Sequence, residues 1–267
     1  MLRDITLGQY YPADSILHRL DPRVKVVGAF LYIISLFLFK SYIGYIPATV
    51  FLAVSIYLSR VPFSYMVKGL KAIVILMLIT GLCNLFLTAG EPVVSFGRVT
   101  ITKEGISTAV KMVVRLSYLV LGSSVLTLTT TPGNLTDALE KLCKGLNRIH
   151  VPVHEIAMML SIALSFIPIL MEETDKIMKA QMARGADFES GNIFVRIKAL
   201  VPLLVPLFVS AFKRAGDLAL AMEARCYRGG EGRTKMKPLM YHKQDTIAYA
   251  VILSYFAVIV IIRIIWG

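Results

Sequence analysis

Two arginine-containing segments share one pattern, in which an arginine follows alanines one and four positions before it. The first is Ala180-Gln181-Met182-Ala183-Arg184-Gly185, and the second, 41 residues later, is Ala221-Met222-Glu223-Ala224-Arg225-Cys226. An arginine in the last turn of a helix is favoured by the helix dipole, and the alanines leave room for the helix end to enter a groove. The guanidinium then offers a planar fork to carboxylates or carbonyls. The pattern predicts two helix ends that dock into two similar grooves.

The helices that carry these arginines are expected to be amphipathic. Each is predicted to begin near a proline, Pro168 or Pro206, and to stop at a glycine, Gly185 or Gly229-Gly230. An alternative interpretation is that each arginine is only a favourable C-terminal residue beside helix-forming alanines. The duplication of the pattern inside a basic region favours the docking interpretation.

The rest of the chain is organised around long apolar blocks. Of its 267 residues, 56% are hydrophobic, and the excess over a soluble protein is concentrated in segments long enough to cross roughly 30 Å of hydrocarbon. The sequence therefore predicts an all-α membrane protein with about five transmembrane helices and a cytoplasmic or interfacial coupling region of amphipathic helices. The predicted spans are 24–39, 42–59, 72–88, 106–128 and 247–266. Residues 89–103 alternate in a way that predicts a short hairpin around Gly97.

The distribution of positive charge predicts the topology. The net charge is +12, and a five-span arrangement places 23 of the 29 lysines and arginines on the cytoplasmic side, 16 of them in residues 129–243. The N-terminus is then cytoplasmic and the C-terminus external, in a multi-pass protein of the cell membrane, whereas six or seven spans are the rival. The chain divides into 1–131, 132–243 and 244–267. The N-terminus lacks the pattern of a cleaved signal peptide. Apolar blocks that demand a lipid bilayer argue against nucleic acid as a partner.

Other residues with chemical potential give weak signals. His150 and His154 are four residues apart, but a metal site needs more ligands and Pro152 lies between them, so a polar turn at an interface is the preferred interpretation. Glu172-Glu173 is expected to begin a solvated helix rather than to catalyse a reaction. Lys111 and Arg115 are expected to snorkel near the outer end of the fourth span. The three cysteines are far apart and indicate no disulfide or thiolate metal site.

The sequence contains no recognisable nucleotide-binding site and no pattern typical of a self-contained secondary transporter. No phosphate-binding loop of the G-x-x-x-x-G-K-[ST] type is present, so any ATPase must be another chain. Two alternative functions remain: a membrane-embedded enzyme that modifies lipids, and a self-contained secondary transporter. The first predicts convergent acid and base residues at membrane depth, and the second predicts inverted repeats with broken helices. The spans hold almost no such residues, and the repeat that the chain contains is cytoplasmic.

The ordered set of motifs resembles the transmembrane T component of energy-coupling factor (ECF) transporters, the EcfT/CbiQ family. The resemblance covers nearly the whole chain and includes 20–25 (LDPRVK), 166–173 (FIPILMEE) and 221–230 (AMEARCYRGG), besides the two arginine motifs. The sequence departs from the family pattern at Cys226, where a small residue such as glycine is usual, and at Ser165, where relatives often have arginine. A cysteine is small enough to fit a groove, whereas Ser165 leaves a polar contact in question.

The resemblance implies a non-catalytic subunit of an ATP-driven importer. It implies that two ABC-type ATPase subunits bind the helix ends formed by Ala183, Arg184 and Gly185 and by Ala224, Arg225 and Cys226. It also implies a separate substrate-binding membrane subunit, the S component, for a vitamin or a transition-metal ion. ATP and Mg²⁺ would be bound by the partner ATPases, and no cofactor by this chain.

Overall fold

The computed structural model describes residues 10–39, 41–96, 99–186, 188, 193–230, 236 and 238–266. Nine α-helices and one hairpin make up the regular structure of these residues, together with short 3₁₀ turns at Tyr42–Gly44 and Lys144–Ile149. The helices are α1 (Ile16–Arg19), α2 (Pro22–Leu38), α3 (Tyr45–Ser59), α4 (Phe63–Leu87), α5 (Lys103–Thr129), α6 (Pro132–Cys143), α7 (Val153–Ala183), α8 (Ile193–Ala224) and α9 (Lys243–Trp266).

Contacts divide the chain into two compact units. The terminal unit combines Gly8–Ala138 with Leu239–Gly267, and the central unit covers Leu139–Pro238. The sequence-based division at 132–243 was drawn on membrane topology, which contacts do not test, so it stays a prediction. The terminal unit contains α1 to α5 and α9, whereas the central unit contains α7 and α8.

The core of the terminal unit is formed where α2, α3, α5 and α9 meet. Tyr32 and Leu36 of α2 and Ile259 of α9 are at most 3% exposed. The ring of Tyr32 lies against α5 at Gly122, where an added Cβ would come within 2.5 Å of the ring. Lipid tails are as apolar as the side chains, so helices in a membrane associate mainly through such close packing.

The ends of these helices alternate between two sides of the terminal unit. Lys25, in the first turn of α2, donates through Nζ to the carbonyl of Thr129 at the end of α5, at 2.9 Å. The N–H of Asp21, just before α2, donates to Asp245 in the first turn of α9, at 2.8 Å. Helix α5 therefore ends on the same side on which α9 begins. A segment that begins and ends on one side of a bilayer crosses it an even number of times, so the total number of spans is odd when α2 to α5 and α9 all cross.

Length and composition identify the helices that can cross a bilayer. Within the described part of the chain, four pass this test, namely Tyr42–Ser59, Lys103–Thr129, Val153–Ala183 and Lys243–Ile265. Helix α4 becomes a fifth if its parts Phe63–Lys71 and Ile73–Leu87, which meet at 58°, form one span. The prediction of a helical membrane protein with about five spans is thus confirmed, although the members differ: α2 has only 17 residues, and α7 qualifies although it was assigned to the coupling region. By the even-crossing argument, α7 can cross only if another segment of 130–242 crosses as well.

The predicted hairpin is present between α4 and α5. Strands β1 (Pro92–Phe96) and β2 (Val99–Thr102) pair antiparallel, with Phe96 opposite Val99. Gly97, around which the turn was predicted, lies outside the described residues. Thr102 ends the hairpin and caps α5, because its hydroxyl accepts a hydrogen bond from the N–H of Gly105 at 3.0 Å.

Helices α7 and α8 run without interruption through their prolines. Pro168 lies inside α7, and Pro202 and Pro206 lie inside α8. The prediction that the motif-bearing helices begin near Pro168 and Pro206 is therefore wrong. An interior proline costs about 3 kcal/mol in an exposed helix, yet the apolar residues on both sides of each proline keep the helical period and the helix continues.

Candidate functional site

The first arginine motif ends α7 in a Schellman arrangement, in which N–H groups beyond the helix bond back to its last carbonyls. Arg184 occupies the C-cap position, and Gly185 follows in the left-handed region with φ of +89°. The N–H of Gly185 donates to the carbonyl of Met182, and the N–H of Ala186 donates to the carbonyl of Gln181, both at 3.0 Å. The predicted stop at Gly185 is confirmed, because only glycine adopts this conformation without a steric cost.

The second motif ends α8 with the same pattern of bonds. Arg225 follows the last helical residue, and Cys226 has a positive φ of +54°. The N–H of Cys226 donates to the carbonyl of Glu223 at 2.8 Å, and the N–H of Tyr227 donates to that of Met222 at 3.0 Å. The two arginines therefore occupy equivalent positions at two helix ends of the same construction.

The predicted stop of the second helix at Gly229-Gly230 is wrong, since α8 ends at Ala224. The chain turns at Cys226, and the left-handed conformation costs an L-residue roughly 1–2 kcal/mol. The left-handed turn gives a structural reason for the small residue that the family resemblance implies at this position. The position must turn left-handed, and glycine does so most easily.

Both helix ends are open to a partner. The six residues of the two ends are all exposed, namely Ala183, Arg184, Gly185, Ala224, Arg225 and Cys226. Among the described residues, no carboxylate lies within 4 Å of either motif guanidinium. Each arginine can therefore direct its planar fork of donors at an acceptor on another chain.

An ion pair joins the two motif-bearing helices. Nη2 of Arg214 in α8 lies 2.5 Å from Oε2 of Glu173 in α7. The amide of Gln181 also donates to the carbonyl of Pro202, at 3.4 Å, so residue numbers rise along one helix as they fall along the other. The helices pack antiparallel. The prediction that Glu172-Glu173 begins a helix is wrong, because the pair lies twenty residues into α7, and Glu173 serves as an interhelical contact.

A histidine–glutamate pair supports the second end from within the central unit. Nδ1 of His154 lies 2.9 Å from Oε1 of Glu140, and the His154 ring packs on Gly230 so closely that an added Cβ would collide with it. Residues just beyond the second motif are thus held against the start of α7. His150, in contrast, is exposed at the end of a 3₁₀ turn. Within the described ranges, no three His, Cys, Asp or Glu side chains are grouped so that they could hold a metal ion.

Comparison with known proteins decides the family. The CbiQ family, described as cobalt transport protein, matches residues 13–236. The chain is 53% identical to the energy-coupling factor transporter transmembrane protein EcfT of Clostridium kluyveri over 269 residues, with both chains covered in full. It is 49% identical to EcfT of Bacillus subtilis over 247 residues, which cover 92% of this chain and 93% of that protein. The chain belongs to the EcfT family. It is thus a multi-pass transmembrane component of an ECF transporter.

In this EcfT family member, a buried cluster that sequence reasoning missed ties the start of α2 to the start of α9. The carboxylate of Asp245, which is 1% exposed, accepts hydrogen bonds from the N–H groups of Asp21 at 2.8 Å and His242 at 2.7 Å. The guanidinium of Arg23 binds the Asp21 carboxylate with two nitrogens and lies 3.7 Å from the centre of the Tyr241 ring. The signal in the sequence that could have indicated this cluster is an acidic residue, Asp245, just ahead of the last apolar block, where a helix cap is common. No feature of the sequence indicates that its partner is Asp21.

The charges of Asp21 and Arg23 stabilise each other in this cluster. Burial opposes ionisation of Asp21, but hydrogen bonds from the side chain and the backbone of Arg23 outweigh it and hold the pKa of the carboxyl below its ordinary value. The LDPRVK segment, quoted above as part of the family resemblance, therefore has a structural role in this EcfT family member. Asp21 caps α2, and Arg23 neutralises the cap.

The two charges in the fourth predicted span have partners inside the terminal unit. Nη2 of Arg115 donates to the carbonyl of Phe39 at the C-terminal end of α2, at 3.2 Å, and Nζ of Lys111 lies 4.4 Å from the centre of the Tyr42 ring. A cation at the end of a helix satisfies a free carbonyl and is favoured by the dipole. Arg115 thus caps a neighbouring helix, and the snorkelling of Lys111 and Arg115 stays a prediction. Ser165, the other departure from the family pattern, donates back to the carbonyl of Ser161 at 2.6 Å and stays exposed.

Proposed function

We propose that this chain is the scaffold of an ECF-type ABC importer and that it binds two cytoplasmic ATPase subunits through Arg184 and Arg225. A separate S component binds the substrate, and ATP-driven motion of the ATPases reaches it through α7 and α8. The chain itself does not catalyse a reaction. ATP and Mg²⁺ are held by the partner ATPases, and the substrate class is a vitamin or a transition-metal ion.

The observation that carries this proposal is the equivalence of the two helix ends. Arg184 and Arg225 both follow the last residue of a long helix, and both precede a left-handed residue in a Schellman arrangement. Two exposed ends of equal construction suit two partner chains with similar grooves. An arginine that only stabilised its own helix end would not require the same turn, the same alanines and the same exposure at both places.

The even number of crossings between α5 and α9 supports the orientation that we propose. Residues 129–243 hold 16 lysines and arginines, and by the positive-inside rule the segment begins and ends in the cytoplasm. The first turn of α2 lies on the same side as the end of α5. We therefore propose a cytoplasmic N-terminus, on the same side as the two arginine ends that meet the ATPases.

The proposal is tested by reversing both arginines. The double variant Arg184→Glu/Arg225→Glu is expected to insert into the membrane but to lose both ATPase subunits on purification, and with them substrate uptake. Losing a buried charge contact at an interface costs about 2–5 kcal/mol. Each single variant is expected to weaken one ATPase, and Arg→Lys changes are milder because only the planar fork is lost.

The matched control is Lys179→Glu/Arg228→Glu, which makes the same change of charge at exposed positions close to the two ends. This control is expected to keep both ATPases. If the arginine reversals leave ATPase co-purification and uptake at the level of the wild type, Arg184 and Arg225 are ordinary helix-end residues and the proposal is wrong. Robust ATP hydrolysis by the isolated chain would contradict it as well.

A further inference from the structure

The ion pair between Glu173 and Arg214 lies at a special place in the repeat. The two residues are 41 positions apart, and so are Arg184 and Arg225. Each motif arginine therefore follows its member of the ion pair by eleven residues. At about 1.5 Å per residue, both arms between the pair and the arginine are roughly 16 Å long.

Equivalent positions of two antiparallel helices can meet only at a two-fold axis. Away from such an axis, a residue contacts one that is not its own equivalent 41 positions later. Gln181, for example, contacts Pro202. Glu173 and Arg214 thus mark an approximate local two-fold axis between α7 and α8. An isologous contact brings a residue against its own equivalent, and two identical charges would repel each other there. Glu173 and Arg214 have opposite charges instead, so the two equivalent positions attract each other.

We infer that Glu173 and Arg214 are positioning residues that fix the crossing of α7 and α8 at equal distances from the two arginine ends. This inference rests on the proposed function, since it assigns the pair to the coupling of two bound ATPases. The pair touches neither nucleotide nor substrate. It keeps the two arms equal, so that a displacement of one end by its ATPase is passed to the other end through a defined crossing. The side chains are 27% exposed for Glu173 and 41% exposed for Arg214, so water and salt screen the pair in part.

A charge swap in the assembled transporter tests the role in coupling. Glu173→Arg and Arg214→Glu each place two like charges at the crossing, whereas the double variant Glu173→Arg/Arg214→Glu restores an ion pair. Each single variant is expected to retain both ATPases, because Arg184 and Arg225 are intact, but to lose about fivefold or more in substrate uptake per ATP hydrolysed. The double variant is expected to recover most of this loss.

Glu172→Arg and Lys213→Glu are the matched controls, since both positions are exposed and adjacent to the pair and the charge changes are the same. They are expected to leave uptake per ATP unchanged. The inference is overturned if the single variants couple like the wild type, if the double variant is no better than the worse single variant, or if the controls lose as much as the pair variants.

A distance measurement separates this inference from the proposed function. Spin labels are placed at Ala180→Cys and Ala221→Cys, equivalent exposed positions seven residues beyond the pair, in the full chain in lipid nanodiscs without ATPases and with Cys83, Cys143 and Cys226 replaced by serine. A narrow distance distribution is expected to broaden in each single variant and to narrow again in the swap. An unchanged distribution in the single variants overturns the inference, whether or not the arginines bind ATPases.

Discussion

Cys226 adopts the left-handed backbone conformation that Gly185 adopts at the equivalent position 41 residues earlier. The two helix ends are therefore built alike but at different cost. The left-handed conformation costs a cysteine roughly 1–2 kcal/mol in steric repulsion, whereas the same repulsion is small for glycine, which has no Cβ. The difference between the two ends leads directly to a pair of reciprocal substitutions.

Cys226→Gly is expected to stabilise the protein by about 0.5–1 kcal/mol, because the relief of strain exceeds the extra entropy of glycine in the unfolded chain. Gly185→Cys is expected to destabilise it by about 1–2 kcal/mol through the backbone alone, since none of the described neighbours lies within 4 Å of an added Cβ. Thermal unfolding of the purified variants in detergent measures both effects. Equal stability of Gly185→Cys and the wild type would contradict the left-handed conformation of this residue.

Asp245→Ala is expected to destabilise the terminal unit by about 2–4 kcal/mol, since it leaves two buried N–H groups, those of Asp21 and His242, without their acceptor. Asp245→Asn keeps one acceptor oxygen and is expected to fall between alanine and the wild type. Gln244→Ala, at the exposed neighbouring position, is the control and should be close to neutral. Unfolding in a denaturant titration ranks the variants, and a neutral Asp245→Ala would mean that the α2–α9 contact does not hold in the membrane.

Labelling of single cysteines in intact cells is expected to show the proposed topology. Each single cysteine is introduced into a variant without the native cysteines. A membrane-impermeant reagent should label Ser95→Cys in the hairpin and should not label Ala180→Cys or Ala221→Cys. After the membrane is permeabilised, the cysteines at positions 180 and 221 should be labelled as well as the one at position 95. Labelling of Ala180→Cys from outside would contradict the cytoplasmic position of the first arginine end.

The stability of the protein is expected to fall as the pH drops below about 6.5, because His18 is held in its neutral form. The carbonyl of Tyr11 accepts from Nε2 at 3.0 Å, and Nδ1 faces the hydroxyl of Ser15 at 2.7 Å. Burial lowers the pKa of His18 below the ordinary value of 6.5, and the Lys25 ammonium adds to this, while the Tyr11 hydrogen bond acts in the opposite direction.

The sign of this pH effect follows from the direction of the shift. With a lowered pKa in the folded state, the unfolded chain binds more protons, so the contribution of His18 is complete above pH 6.5 and is lost as the pH falls through the folded-state pKa. Unfolding temperatures at pH 8 and pH 5.5 measure the effect. His18→Gln should reduce the difference between the two temperatures, and an unchanged difference would exclude His18 as its source.

Local signals in the sequence were enough to locate the first helix end, but only partly enough for the second. Gly185 indicates a helix stop because glycine is the usual left-handed residue. A cysteine such as Cys226 does not indicate one, so the sequence favours the next glycines, Gly229-Gly230, as the stop of the second helix. The prolines at 168 and 206 were taken for helix starts for a similar reason. Their local preference was clear, but the apolar helical period continues on both sides of each proline.

Contacts between distant parts of the chain could not be predicted from the sequence. Nothing in the residues around Asp21 indicates Asp245, and the register of α7 against α8 that pairs Glu173 with Arg214 depends on how two long helices cross. The apolar blocks, in contrast, predicted the membrane helices because hydrocarbon thickness imposes a minimum length on each of them. The repeat of the arginine motif was visible in the sequence, but its two-fold axis was not.

The contact between Asp21 and Asp245 also sets an order of events during synthesis. The two residues are separated by 224 positions, so the contact cannot form until almost the whole chain has left the ribosome. At about 5–20 residues per second, that delay is roughly 10–45 seconds. Throughout this time the N–H of Asp21 is without its acceptor in α9, and a nascent chain that stops before α9 never supplies it. Closure of this contact therefore distinguishes a finished polypeptide from a truncated one.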